Sequence, residues 1–192
     1  AHILLEKQNG RLRQPALIVM PTSLIPNWQD EAARFAPTLK VLALHGSKRR
    51  SGFKLIAEHD IVLTTYALLP RDLKALTAQR FHLLILDEAQ SIKNPRSKAA
   101  LAAGQINARQ RLCLSGTPLE NNLGELWSLF NFLMPGWLGD AKRFTRDYRT
   151  PIEKHASEQR LAHLRGRIKP FVLRRKKEQV AREPVSYTHL TL

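Results

Sequence analysis

Two carboxylates, Asp87 and Glu88, stand side by side at the end of the apolar run FHLLIL, in the stretch FHLLILDEAQSIKNP. At the mouth of a buried strand such a pair can divide two tasks. One carboxylate can hold Mg²⁺, which takes oxygen ligands, keeps several waters and needs little protein beside triphosphate oxygens. The next can orient or deprotonate an attacking water. Further on, after the run RLCLS, the turn SGTP (Ser115, Gly116, Thr117, Pro118) adds two small hydroxyls and a glycine. Thr22 and Ser23 in PTSLIPNW, and Thr64 and Thr65 in IVLTTY, add hydroxyls at loop–helix junctions. Hydroxyls and backbone N–H groups at such junctions suit phosphate oxygens. Each feature also has a plainer use: surface charge at a strand end, a turn at Gly and Pro, a helix cap at Ser or Thr.

The elements that must carry these residues follow from the apolar pattern. ALIVM (16–20), VLAL (41–44), IVLTT (61–65), FHLLILD (81–87) and RLCLS (111–115) read as strands. Helices are expected over PNWQDEAARFA, over about 66–77, over about 96–105 after Pro95, and over LGELWSLFNFL (123–133), whose apolar residues recur at helical spacing. The opening AHILLEKQNG reads as the tail of a helix. Strands that are apolar throughout and alternate with helices predict an α/β fold: a parallel sheet with helices on both faces. Ligands in such folds bind beyond the carboxyl ends of the strands. Those ends carry PTS, HGS, TTY, DEAQ and SGTP, so the polar loops should gather on one edge. After Pro135 strands stop, and a mostly helical basic extension is expected over 136–182, followed by a tail at 183–192. Trp28, Trp127 and Trp137 are expected to anchor packing; Tyr66 fits the core or a nucleic-acid backbone.

The 192 residues suffice for one domain, or a domain with an appendage. No apolar run approaches the roughly 20 residues of a membrane span. The single cysteine, Cys113, cannot pair within the chain and reads as a buried small hydrophobe. The formal net charge is +15, and two thirds of it falls between residues 141 and 182, with 14 basic and four acidic residues. That asymmetry fits a polyanion, most simply nucleic acid, or a solvated helical face.

In order along the chain, LIVMPTSLIPNWQDE, IVLTTYALL, LLILDEAQSIKNP, LCLSGTPLENNLGELWSLFNFLMPGWLG and FVLRRKKEQV resemble the first motor lobe of Swi/Snf-type ATPases, helicase-like motors of superfamily two. The resemblance implies a RecA-like lobe over 1–135 and ATP with Mg²⁺ as cofactors. It implies that Asp87 holds the metal and Glu88 activates water against the γ-phosphate. Gln90 would link the nucleotide site to motion, and Ser115, Gly116 and Thr117 would couple hydrolysis to lobe movement. Thr22, Ser23, Thr64 and Thr65 would lie along a DNA backbone, and Arg174 and Arg175 would lead to a second lobe. The implied partner is double-stranded DNA, with RNA polymerase or another DNA-bound complex as a further candidate and no membrane. The implied location is a bacterial cytoplasm at the nucleoid, or a nucleus in a eukaryote.

The sequence contains no G-x-x-x-x-G-K-[ST] loop, which cradles phosphates in such motors. The resemblance places that loop upstream of Ala1 and an arginine finger in a second lobe, so this stretch alone is expected to be inactive. The ending EPVSYTHLTL does not match the family's continuation. Two other functions remain open on the residues: a non-catalytic DNA- or protein-binding module with a motor fold, and an RNA helicase of the same superfamily.

Overall fold

Apolar and branched residues build three strands that are buried at every position: β1 (Ala16–Met20), β3 (Ile61–Thr65) and β4 (Phe81–Leu86). The computed structural model describes residues 1–116 and 122–175. Thr117, the last cations of RRKK and the tail at 183–192 lie outside the described residues. Two flanking strands, β2 (Val41–Ala43) and β5 (Ala108–Cys113), complete a sheet of order β2-β3-β1-β4-β5. All four pairings are parallel, with Val19 opposite both Thr64 and Leu86, and Leu86 opposite Cys113. The carboxyl ends of all five strands therefore share one edge.

Side-chain alternation splits the core between two faces. Leu17, Val19, Val62, Leu84 and Leu86 pack against α3 (Leu73–Thr77), α4 (Lys98–Gln105) and α5 (Leu123–Leu133) through Leu76, Ala102, Ala103, Leu129 and Phe132. Ile18, Met20, Leu63 and Ile85 pack on the other face, against α1 (His2–Gln8) and α2 (Ile25–Phe35) through Ile3, Leu4, Ile25 and Trp28. Hence the chain leaving β1 turns to one face and the chain leaving the adjacent β4 turns to the other. Between two such strands a crevice opens at the carboxyl edge, the usual ligand position in open α/β sheets.

The helix expected over about 66–77 is real only at Leu73–Thr77. Pro70 lacks the N–H a helix would use and clashes with the preceding turn, so residues 66–71 form turns instead. The strand expected at 111–115 begins earlier, at Ala108, and ends at Cys113. It lies at the sheet's edge, so polar Arg109, Gln110 and Arg111 interrupt the apolar signal. The helix expected from 96 starts at Lys98, because Ser97 caps it by accepting from the Ala100 N–H at 3.2 Å.

No helix was expected over 47–58, where the structure has a 3₁₀ segment, Ser47–Glu58. Gly52 seats it against β2: a Cβ there would stand 2.9 Å from Leu44 Cδ2. Arg49 on this segment donates to both carboxylate oxygens of buried Asp72, at 2.7 and 3.1 Å, tying the loop after β2 to the loop after β3.

The first compact unit runs from Ala1 to Phe144 and includes α6 (Ala141–Phe144). From Thr145 a second unit holds a π-helical turn, Thr145–Arg149, then α7 (Thr150–His155) and α8 (Glu158–Ile168). Within it, buried Tyr148 stacks on His163 with ring centroids 5.8 Å apart, and its hydroxyl accepts from Arg167 at 3.3 Å. Among the described residues, no helix is long and apolar enough to cross a membrane.

Leu84 is fully buried on β4, the strand that carries the carboxylates. Leu84→Ala is expected to cost about 2–5 kcal/mol, the usual range for such truncations, measured by urea denaturation.

Candidate active site

Asp87 is the first residue beyond β4, and every polar group it offers is engaged. Its N–H donates to Val19 O of the neighbouring strand at 2.8 Å. Its carbonyl accepts from Tyr66 Oη at 2.7 Å. Its carboxylate accepts from the Glu88 N–H on Oδ1, at 3.0 Å, and from Trp28 Nε1 on Oδ2, at 2.8 Å. Each oxygen keeps a further lone pair, since a carboxylate has about four acceptor sites.

Glu88 stands in the left-handed region, at φ 50 and ψ 53. For a residue with a side chain this costs about 1–2 kcal/mol. The neighbouring backbone holds it there: the Ala89 N–H donates to Leu114 O at 2.9 Å, and the Leu114 N–H to Leu86 O at 2.8 Å. The turn redirects the chain from β4 into a 3₁₀ segment, Ala89–Ile92, and brings Glu88 and Gln90 together. Gln90 Nε2 donates to Glu88 Oε2, and Ser115 Oγ donates to Gln90 Oε1 at 3.1 Å. A hydroxyl, an amide and a carboxylate from two adjacent strands thus form one hydrogen-bonded row.

The sequence places its candidates with mixed results. Asp87, Glu88, Gln90 and Ser115 lie together on one edge. Gly116 follows directly, and among the described residues nothing packs within 4 Å of where its Cβ would stand. Thr22 and Ser23 are exposed on a 3₁₀ turn, Thr22–Leu24, between β1 and α2. Thr64 and Thr65 are not surface groups: they are 1% and 2% exposed, because β3 is interior to the sheet. Thr64 Oγ1 is buried with no hydrogen-bond partner among the described residues. Arg174 and Arg175 are exposed in the second unit.

Sequence reasoning missed the site roles of Trp28 and Tyr66. Tyr66 directly follows β3 and Trp28 lies on α2, the helix that follows β1, so both come from the carboxyl edge of the sheet, which was the available signal. Tyr66 also packs against the core. Burial, with Cys113, Asp87 and Glu88 nearby, pushes its phenol well above the ordinary range, so it stays a donor to Asp87.

No group of three or more His, Cys, Asp or Glu side chains is placed to hold a metal among the described residues. A single half-buried carboxylate with free lone pairs fits a hard cation whose other ligands are water and phosphate, which is how Mg²⁺ is commonly held. It does not fit zinc, which takes three or four protein ligands.

The family model described as the SNF2-related domain matches residues 1–190. The chain is 42% identical over 186 residues to YwqA of Bacillus subtilis, described by its name as a candidate ATP-dependent helicase or translocase. That match covers 94% of this chain and 20% of the relative. It is 40% identical over 179 residues to the TATA-binding protein-associated factor MOT1 of Saccharomyces cerevisiae, covering 86% of this chain and 10% of that protein. The Sulfolobus solfataricus SWI2/SNF2 ATPase core, solved in complex with dsDNA, superposes with a TM-score of 0.84 at 36% identity, covering 93% of this chain and 38% of that one. The chain therefore spans a fifth or less of these curated relatives.

Cys113 ends β5 beside this site, and burial pushes its thiol up to about 12. At pH 8 its thiolate fraction is about 10⁻⁴, against roughly a quarter for an ordinary thiol. Iodoacetamide should therefore label Cys113 on the order of 10³-fold more slowly in the folded chain than in urea, read by peptide mass spectrometry.

Proposed function

The chain belongs to the SNF2-related domain family, with that family's RecA-like parallel sheet, and from this premise we propose that it is the first motor lobe of a DNA-dependent ATPase. In this reading the full-length protein hydrolyses Mg·ATP and converts the turnover into movement along double-stranded DNA. The observation that carries it is the row Glu88–Gln90–Ser115 beside Asp87, at the crevice where the chains leaving β1 and β4 diverge.

Asp87 would hold the metal with the lone pairs that Trp28 and the Glu88 N–H leave open. Bound Mg²⁺ supplies positive charge to the phosphate oxygens. Glu88 accepts a proton from the attacking water. Gln90 fixes the Glu88 carboxylate through its N–H₂ and takes the Ser115 hydroxyl on its oxygen. A shift of the Ser115–Gly116 turn is therefore felt at the carboxylate, which is a physical route from lobe movement to hydrolysis. Thr117, the third residue of that turn, completes the coupling in this reading.

On the DNA side, exposed Thr22 and Ser23 offer hydroxyls to a phosphate backbone. Thr64 and Thr65 act behind them, by shaping the end of β3. The cations of the 141–182 stretch supply sequence-independent attraction. Arg174 and Arg175 lead toward the second lobe. The relatives' names, with a TATA-binding protein-associated factor among them, support a target bound to DNA, and the Sulfolobus neighbour, solved with dsDNA, supports a duplex as the track.

Glu88→Gln in the full-length protein keeps the Gln90 contact and removes the base. ATP turnover is expected to fall by about 10²–10⁴-fold while nucleotide affinity stays near wild type. Turnover assays with a fluorescent nucleotide titration read both quantities. Undiminished turnover would remove Glu88 from the reaction.

A further inference from the structure

Trp28 stands one helical turn beyond Ile25 on α2, and both pack against the same face of the sheet. Ile85 points to that face, and Asp87, two residues on, follows the same alternation. Any large apolar side chain at position 28 would serve that packing. Only the indole adds a donor, and Nε1 spends it on Asp87 Oδ2 at 2.8 Å. The other contacts to Asp87 come from its neighbour's N–H on Oδ1, from Tyr66 on the backbone carbonyl and from β1 on the backbone N–H. Trp28 is thus the one described side chain outside the carboxylate's own strand and turn that fixes its rotation.

We propose that Trp28 is a positioning residue for the metal-holding carboxylate: its indole N–H sets the rotamer of Asp87, so that the lone pairs facing the rim are preorganised for Mg²⁺. The proposal rests on the nucleotide reading of Asp87 given above. It assigns Trp28 of PTSLIPNW to the metal site rather than to packing alone. A donor of this kind orients the ligand that touches the metal, and removing such partners typically weakens metal binding by about 10–100-fold. The link also joins two functions in space. The helix that carries Trp28 begins directly after the exposed Thr22–Leu24 turn, so the segment offered to a polyanion and the donor to the metal ligand are parts of one element.

The test uses the full-length protein with Trp28→Phe, which keeps an aromatic ring and loses the donor. A second variant carries benzothienylalanine at position 28, which keeps the bicyclic shape and lacks only the N–H, so the test does not hang on whether the phenylalanine variant folds. Mn²⁺ affinity in the presence of ADP is read by electron paramagnetic resonance, and the Mg²⁺ dependence of ATP turnover by steady-state kinetics. Both variants are expected to bind Mn²⁺ about tenfold more weakly and to need proportionally more Mg²⁺ for half-maximal turnover, with much of the lost rate recovered at saturating Mg²⁺. Unchanged Mn²⁺ affinity with a lowered melting temperature would make Trp28 a packing residue and overturn the proposal. Asp87→Asn separates the two levels. If that substitution leaves Mn²⁺·ADP affinity intact, the nucleotide reading itself falls, and Trp28 with it.

Discussion

Everything at the carboxyl edge depends on the backbone of Glu88. A residue with a side chain is held at φ 50 at the end of β4, against a cost that an unsupported loop would not bear. The support is redundant: hydrogen bonds from Ala89 to Leu114 and from Leu114 to Leu86 lock the turn to β5, and Asp87 is locked to β1 through Val19. With the turn fixed, Asp87 and Glu88 meet different neighbours. One faces α2 and Trp28, the other faces Gln90 and the turn after β5. Two adjacent carboxylates can then do two different things.

The sheet's topology supplies the place. β1 sits at the centre with β3 on one side and β4 on the other, and the chains leaving β1 and β4 go to opposite faces. Between them Asp87 meets Trp28, whose helix follows directly on the Thr22–Leu24 turn. Tyr66 reaches Asp87 from beyond β1 because residues 66–71 turn rather than coil into a helix. β1, β3 and β4 are buried at every position, polar Thr64, Thr65 and His82 included. That burial lets a few loop residues hold a defined geometry at their ends.

Much of this was legible from the sequence, for a physical reason. Buried parallel strands are apolar throughout, so ALIVM, IVLTT and FHLLIL announce themselves, and α5 shows its apolar stripe at 123–133. What was hidden is equally physical. β5 is an edge strand whose polar residues mask it, and the 3₁₀ segment at 47–58 has no period that apolar spacing reveals. The carboxylate pair and the serine–glycine turn could be placed on one edge from strand order alone. The hydrogen bonds from Trp28 and Tyr66 to Asp87 could not, because a large aromatic residue looks the same in sequence whether it only fills the core or also donates to a polar group. The burial of Thr64 and Thr65 was missed because a threonine at a strand's end can face either the core or the solvent.

Family membership fixes the kind of lobe, and the geometry adds two adjacent carboxylates and a row of polar groups that ties Glu88 to the turn after the next strand. The central claim is that nucleotide turnover at this edge answers to a duplex on the neighbouring surface. The most direct measurement is the ATP hydrolysis rate of the full-length protein without nucleic acid, with double-stranded DNA and with RNA, each at low and high salt. The account predicts strong stimulation by duplex DNA of unrelated sequences, little by RNA, and steep loss of the effect as salt rises. A rate that duplex DNA leaves unchanged at low salt would contradict it.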